Sequence, residues 1–172
     1  MNGVKTAARL RLAMVVVAAA MGIGGCSSYS PAALPVGSAM SEAEQALGPR
    51  TGTHALPEGG TRLEFARGPF GKHTYMLDFS PEGRLRSWQQ VLTEKTFNDL
   101  PIGLPRDALL STLGRPAHVM ILSRQRQTVW SYRYDAPFCL WFQVSLDDQG
   151  KVAETGYATD PVCEVGKTDR LR

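Results

Sequence analysis

One pattern occurs twice in this chain. Val36-Gly37 and Ile102-Gly103 each open a segment that closes on Leu-Gly, at Leu47-Gly48 and at Leu113-Gly114. Upstream, Leu34 matches Leu100. Downstream, Tyr75-Met76-Leu77-Asp78-Phe79 matches Phe142-Gln143-Val144-Ser145-Leu146, and the next turns end at Gly83 and Gly150, ahead of Leu85 and Val152. Self-similarity at a fixed spacing of this length marks a duplicated supersecondary unit.

Each copy reads as a helix and then a strand meander. Residues 38–47 form a short helix with a thin apolar stripe of Met40, Ala43 and Leu47; Gly48 caps it and Pro49 stops it. In the second copy, residues 105–113 begin with Pro105, carry Asp107 in the first turn, and turn Leu109, Leu110 and Leu113 inward. A further short helix is expected over 93–100, capped by Thr93, with Phe97 and Leu100 inward. Alternating segments at 51–55, 61–65, 73–79 and 84–92, then 118–124, 128–132, 139–146 and 151–157, read as strands. Their connections are rich in Gly, Pro and Asp. The alternation is half polar, as in an antiparallel sheet covered by helices on one side. The chain is therefore expected to be an α+β protein of two tandem units, each of short helices packed on an antiparallel meander, the two sharing one sheet.

The first 25 residues stand apart. Lys5, Arg9 and Arg11 precede an apolar run over 12–23 with one glycine, the pattern of a secretory signal and too short for a spanning helix. These three cations account for the whole formal charge of +3. Residues 26–172 carry 16 basic and 16 acidic side chains, which removes the main support for a nucleic-acid partner. Ile23-Gly24-Gly25-Cys26 resembles the lipobox of bacterial lipoproteins: a branched aliphatic, two small residues, then cysteine. The resemblance implies cleavage before Cys26, diacylglycerol on its sulfur and acylation of the freed amine, enough acyl chains for stable anchoring. The alternative is an ordinary signal with an incidental cysteine. Ser27 in place of Asp resembles the outer-membrane sorting class, with the protein facing the periplasm. The expected division is a signal peptide over 1–25, a flexible tether over 26–35, a first unit over 36–92, a second over 93–159, and a tail over 160–172.

With Cys26 assigned to lipid, Cys139 and Cys163 remain as an even pair in an oxidising compartment, and a disulfide is the default. Two buried thiols or a two-Cys metal site are the alternatives. No His stands at ligand spacing to either cysteine, so neither a metal nor another cofactor is expected. His54, His73 and His118 are scattered, and no Gly-x-Ser-x-Gly, Ser-x-x-Lys or P-loop occurs after the signal. Glu64 and Asp78 are a conceivable acid pair but read as solvated strand positions. Asp147-Asp148-Gln149-Gly150 has part of a calcium loop's pattern and reads better as a hairpin turn.

Two connections stand out. Arg67-Gly68-Pro69-Phe70-Gly71 and Arg133-Tyr134-Asp135-Ala136-Pro137-Phe138 each place an Arg, a Pro and an aromatic between strands. Exposed Arg and aromatic side chains are frequent binding hot spots, so Arg67, Phe70, Arg133, Tyr134 and Phe138 are candidate partner contacts. Alternatively, Phe70 and Phe138 fold back to plug the sheet ends. Trp88 and Trp141 line either an outer sheet face or the core.

A lipobox, then a short helix ending in Leu-Gly-x-Pro and a meander, resembles the BamE/SmpA/OmlA type of small outer-membrane lipoprotein, most closely over residues 97–116. There Gly103-Leu104-Pro105 replaces the family's Gly-Met-Thr and loses its hydroxyl cap. Tandem helix-on-sheet units are also similar to the β-lactamase-inhibitor-protein fold. The resemblance implies a lipid-anchored, non-catalytic outer-membrane protein that binds another envelope protein in an assembly or integrity role. The alternatives are an inhibitor or sensor that caps a periplasmic enzyme with a concave sheet, and a cell-wall hydrolase.

Overall fold

The computed structural model describes residues 29–68 and 70–164. The first half runs through helix α1 (Met40–Leu47) and strands β1 (Gly52–Ala55), β2 (Thr61–Ala66), β3 (Thr74–Phe79) and β4 (Leu85–Gln90). The second half has helices α2 (Glu94–Asn98) and α3 (Arg106–Leu113), then β5 (His118–Leu122), β6 (Gln127–Arg133), β7 (Leu140–Leu146) and β8 (Val152–Thr159).

The expectation of an α+β chain with one shared sheet is corrected here. The strands form two separate antiparallel sheets of four, in the orders β1-β2-β3-β4 and β5-β6-β7-β8. With three short α-helices and two 3-10 helices of three residues each among the described residues, the protein is mostly β. The split follows from residues 91–100. Val91 and Leu92 leave β4 and bury themselves in the second core, and α2 then carries the chain away before another strand can pair with β4.

The halves run the same course to fine detail. Gly37 N–H donates to Leu85 C=O at 2.8 Å and Gly103 N–H to Val152 C=O at 2.7 Å. A register shift falls at Asp78/Phe79 in one sheet and at Ser145/Leu146 in the other. Gly48 and Gly114 end α1 and α3 with φ of 82° and 78°, and with ψ near ±180°, a region open in practice only to glycine.

The halves stack in layers. Helix α1 sets Ala43 and Leu47 on Leu63, Phe65, Leu77 and Phe79, one face of the first sheet. Helix α3 sets Leu109 and Leu113 on Trp130, Phe142, Val144 and Leu146 of the second sheet, together with Phe97 of α2. The opposite flank of α3 meets the other face of the first sheet. Arg62 Nη1 donates to Ser111 C=O at 3.0 Å, and Met76 of β3 joins the second core. The order is therefore α1, first sheet, α3, second sheet. Helix α3 lies between two sheets, so the helices do not all cover one side.

The tether expected over 26–35 is not free from Tyr29 onward. Pro31 is buried, Leu34 packs on the first core, and Tyr29 lies 5.7 Å from the Tyr75 ring with the Arg67 guanidinium 3.9 Å above its own.

Candidate functional site

The first charged cluster lies at the seam between α3 and the first sheet. Glu64 alternates with Leu63 and Phe65, so its side chain leaves the α1 face and is 1% exposed. Its Oε1 accepts from Thr51 Oγ1 at 2.8 Å and from the Arg115 N–H at 3.1 Å, just past the end of α3. His54 Nε2 lies 3.5 Å from Oε2. Beside it, Arg62 grips Asp78 with two hydrogen bonds of 2.6 and 2.8 Å. Burial, with Glu64 nearby, holds the Tyr132 phenol well above its usual range, so it stays a donor, to Gly114 C=O at 3.2 Å. Neither carboxylate is the solvated strand position that alternation suggests. Both hold α3 in place, and a free acid–base pair is not formed.

The second feature is an open groove of about 1030 Å³ on the α3 side of the second sheet. Helix α3 packs on Trp130, Val144 and Leu146 and leaves Val119 and Ile121 of β5 exposed on the same face. The walls are Leu110 of α3, Val119 and Ile121 of β5, and the β7–β8 turn; Trp130 forms the floor under the Arg106 guanidinium, 5.2 Å from its ring. Val119, Met120 and Ile121 are 48, 41 and 73% exposed. Arg126 at the rim pairs with Asp148, and Asp147 accepts the Gln149 and Lys151 N–H groups of its own turn. Arg106, Arg115 and Lys151 form no ion pair among the described residues.

Strand β5 is also a sheet edge, and the four edges are guarded unequally. Residues 37–39 pair along the start of β4 and residues 103–105 along the start of β8. Strand β1 is four residues long. Strand β5 carries no Pro, Lys, acid or bulge, which are the usual devices against adding a further strand. Sequence reasoning missed this edge. The signal was there in Val119-Met120-Ile121-Leu122, an apolar run without alternation.

The candidate contact residues gather at one end of the molecule with different fates. Asp135 approaches Lys72 at 3.4 Å and His73 at 3.7 Å, which ties the β2–β3 loop to the β6–β7 loop. Phe70 and Phe138 are 71 and 79% exposed, so they do not plug the sheet ends. Arg133 lies 5.3 Å from the Phe70 ring centroid and is hydrogen-bonded to Asp160 at 2.5 and 2.9 Å. Tyr134 is buried edge-on to Phe97, with its phenol pushed up to about 12 by burial and by Glu94, so it is core and not a free contact. Arg67 stacks on Tyr29. Cys139 and Cys163 are disulfide-bonded at this same end, with Cα atoms 6.4 Å apart. Trp141 is buried beneath a stacked His118, and Trp88 is partly exposed on β4. Asp147 to Gly150 form the hairpin turn. The three histidines have separate neighbours. No group of three potential metal ligands comes together among the described residues. Nor, among them, is any helix long and apolar enough to cross a membrane. Cys26 and the signal segment lie outside the described residues.

Burial works to raise the Asp160 carboxyl, but hydrogen bonds from Arg133 and the Val162 N–H outweigh it and hold the group below its ordinary range. A depressed folded value contributes stability that is present above the unfolded value and is lost as pH falls through the folded one. The urea midpoint is thus expected to drop on acidification below about pH 4. Asp160→Asn should flatten that drop and lower the midpoint at pH 7. Identical acid limbs for the two proteins would show that Asp160 does not set the acid dependence.

Comparison with protein-family models and with curated proteins finds no match. Among solved structures the chain is similar to an extracellular protein containing a SCP domain from Bacillus anthracis str. Ames, at 10% identity and a TM-score of 0.32, over 77% of this chain. The chain spans 47% of that protein's length. It is also similar to a DUF4309 family protein, YjgB, of Bacillus subtilis, at 8% identity and a TM-score of 0.29, over 72% of this chain and 79% of that one.

Proposed function

We propose that this is a lipid-anchored, non-catalytic protein of the outer membrane that binds another envelope protein by receiving an extended segment of it along β5. The observation that carries the reading is the unguarded β5 edge beside a groove with an apolar floor and a charged rim. An added strand gains main-chain hydrogen bonds along an edge and places alternate side chains in the pockets beside it. Here those side chains would meet Val119, Ile121 and the Trp130 floor. Arg106, Arg115 and Lys151 at the rim, in no ion pair among the described residues, favour acidic groups between the apolar ones. The hydrogen-bonded carboxylates support binding over chemistry, since Glu64, Asp78 and Asp160 each hold structure together. Capping an enzyme with a concave sheet has less support, because the aromatic faces of both sheets lie against helices.

Palmitate labelling and cross-linking in intact cells, with purification afterwards, test the reading. The wild type should carry palmitate and retain a cross-linked protein. Ile121→Lys puts a charge on an exposed edge position and should fold normally. It should lower the yield of that complex about tenfold, as when about 1.4 kcal/mol of binding is lost. A wild type with no partner, or an Ile121→Lys protein that keeps it, would count against the proposal.

A further inference from the structure

We infer that the end of the molecule carrying Phe70, Phe138 and Val162 rests on the lipid bilayer. This rests on lipidation at Cys26, but the surface itself is read from the fold. Tyr29 is three residues beyond Cys26, and three residues span at most about 11 Å. Tyr29 is fixed under Arg67 and against Tyr75, at the start of the β2–β3 loop. An acyl chain on Cys26 therefore brings the membrane surface within about one helix diameter of this loop. The β6–β7 loop is drawn to the same place through Asp135, Lys72 and His73.

The chemistry there suits a bilayer interface. Phe70, Phe138 and Val162 are 71, 79 and 50% exposed; the two phenylalanines sit on loops and Val162 on the short 3-10 helix Pro161–Cys163 at this end. Solvent-facing phenyl rings are costly in water and favourable in the region between headgroups and acyl chains. The disulfide brings Cys163 next to Cys139 at this end. The opposite end carries charged turns, at Glu58, Glu82 and Asp148. With the loop end down, the groove and the β5 edge lie along the flank, open to a partner in the periplasm.

The test replaces Phe70 or Phe138 in the full-length chain by photoreactive p-benzoylphenylalanine, with Glu82 and Asp148 as control positions. The proteins are irradiated in intact cells and in vesicles of phosphatidylethanolamine and phosphatidylglycerol, and adducts are identified by mass. Lipid adducts at 70 and 138, several-fold above those at 82 and 148, are expected. Equal yields at all four positions, or protein adducts in place of lipid at 70 and 138, overturn the inference. The intact mass separates it from its premise. An acylated Cys26 without lipid adducts at the loops sinks the surface alone. Lipid adducts on a chain whose Cys26 is unmodified sink the anchor and uphold the surface.

Discussion

Gly114→Ala is expected to destabilise the protein well beyond Gly48→Ala, although the two glycines are equivalent positions of the repeat. Both end a helix in a backbone region that side chains avoid, which costs about 1–3 kcal/mol for an alanine. An added Cβ at Gly48 meets nothing within 4 Å. At Gly114 it would stand 2.9 Å from Glu64 Cδ and 3.0 Å from Thr74 Cγ2. Glu64 cannot retreat, because it is buried and its Oε1 is held by Thr51 and by the Arg115 N–H. Crowding a packed site costs about 1–3 kcal/mol more, and here it also pushes α3 off the first sheet. Urea titrations should therefore place Gly114→Ala below Gly48→Ala by that amount. Equal losses would mean that α3 does not press on the first sheet at Glu64.

The second large effect concerns Cys139 and Cys163, which are 24 positions apart. The bond closes a loop whose removal costs about 3–4 kcal/mol on the chain-entropy description. For a domain of this size that is a melting temperature lower by roughly 10 °C. The Cys139→Ser, Cys163→Ser protein should show this loss. Reduction of the wild type should match it, and the double variant should be insensitive to reductant. The damage should start at the loop end, since Asp160 and Arg133 lie beside the bond. A double variant as stable as the wild type would show that the strands alone hold this end.

The local structure was legible because each element carries its own punctuation. Leu47-Gly48-Pro49 and Leu113-Gly114-Arg115-Pro116 end helices where they are expected to, and Thr93 caps α2 through the Thr96 N–H at 3.2 Å. Strand ends fall within a residue or two of the alternating segments. The layering was not legible. In Thr61-Arg62-Leu63-Glu64-Phe65, alternation distinguishes the two faces of the strand but does not reveal that a second element covers the polar one. Arg62 and Glu64 look solvated because the groups that hold them, Ser111 C=O and Arg115 N–H, belong to a backbone about 50 residues further along. Two tandem meanders likewise read equally well as one sheet or two. The deciding residues, Val91 and Leu92, look like the end of a strand until their burial in the second core is seen. Of the five candidate contacts, exposure separates Phe70 and Phe138 from Tyr134, and residue type alone does not.

Anchoring depends on Cys26, and one mass spectrum of the protein extracted from its envelope tests that residue directly. A chain that begins at Cys26, with that cysteine carrying diacylglycerol and an N-acyl group, is the predicted species. A chain cleaved elsewhere, or one that begins at residue 26 with a free thiol, would contradict it.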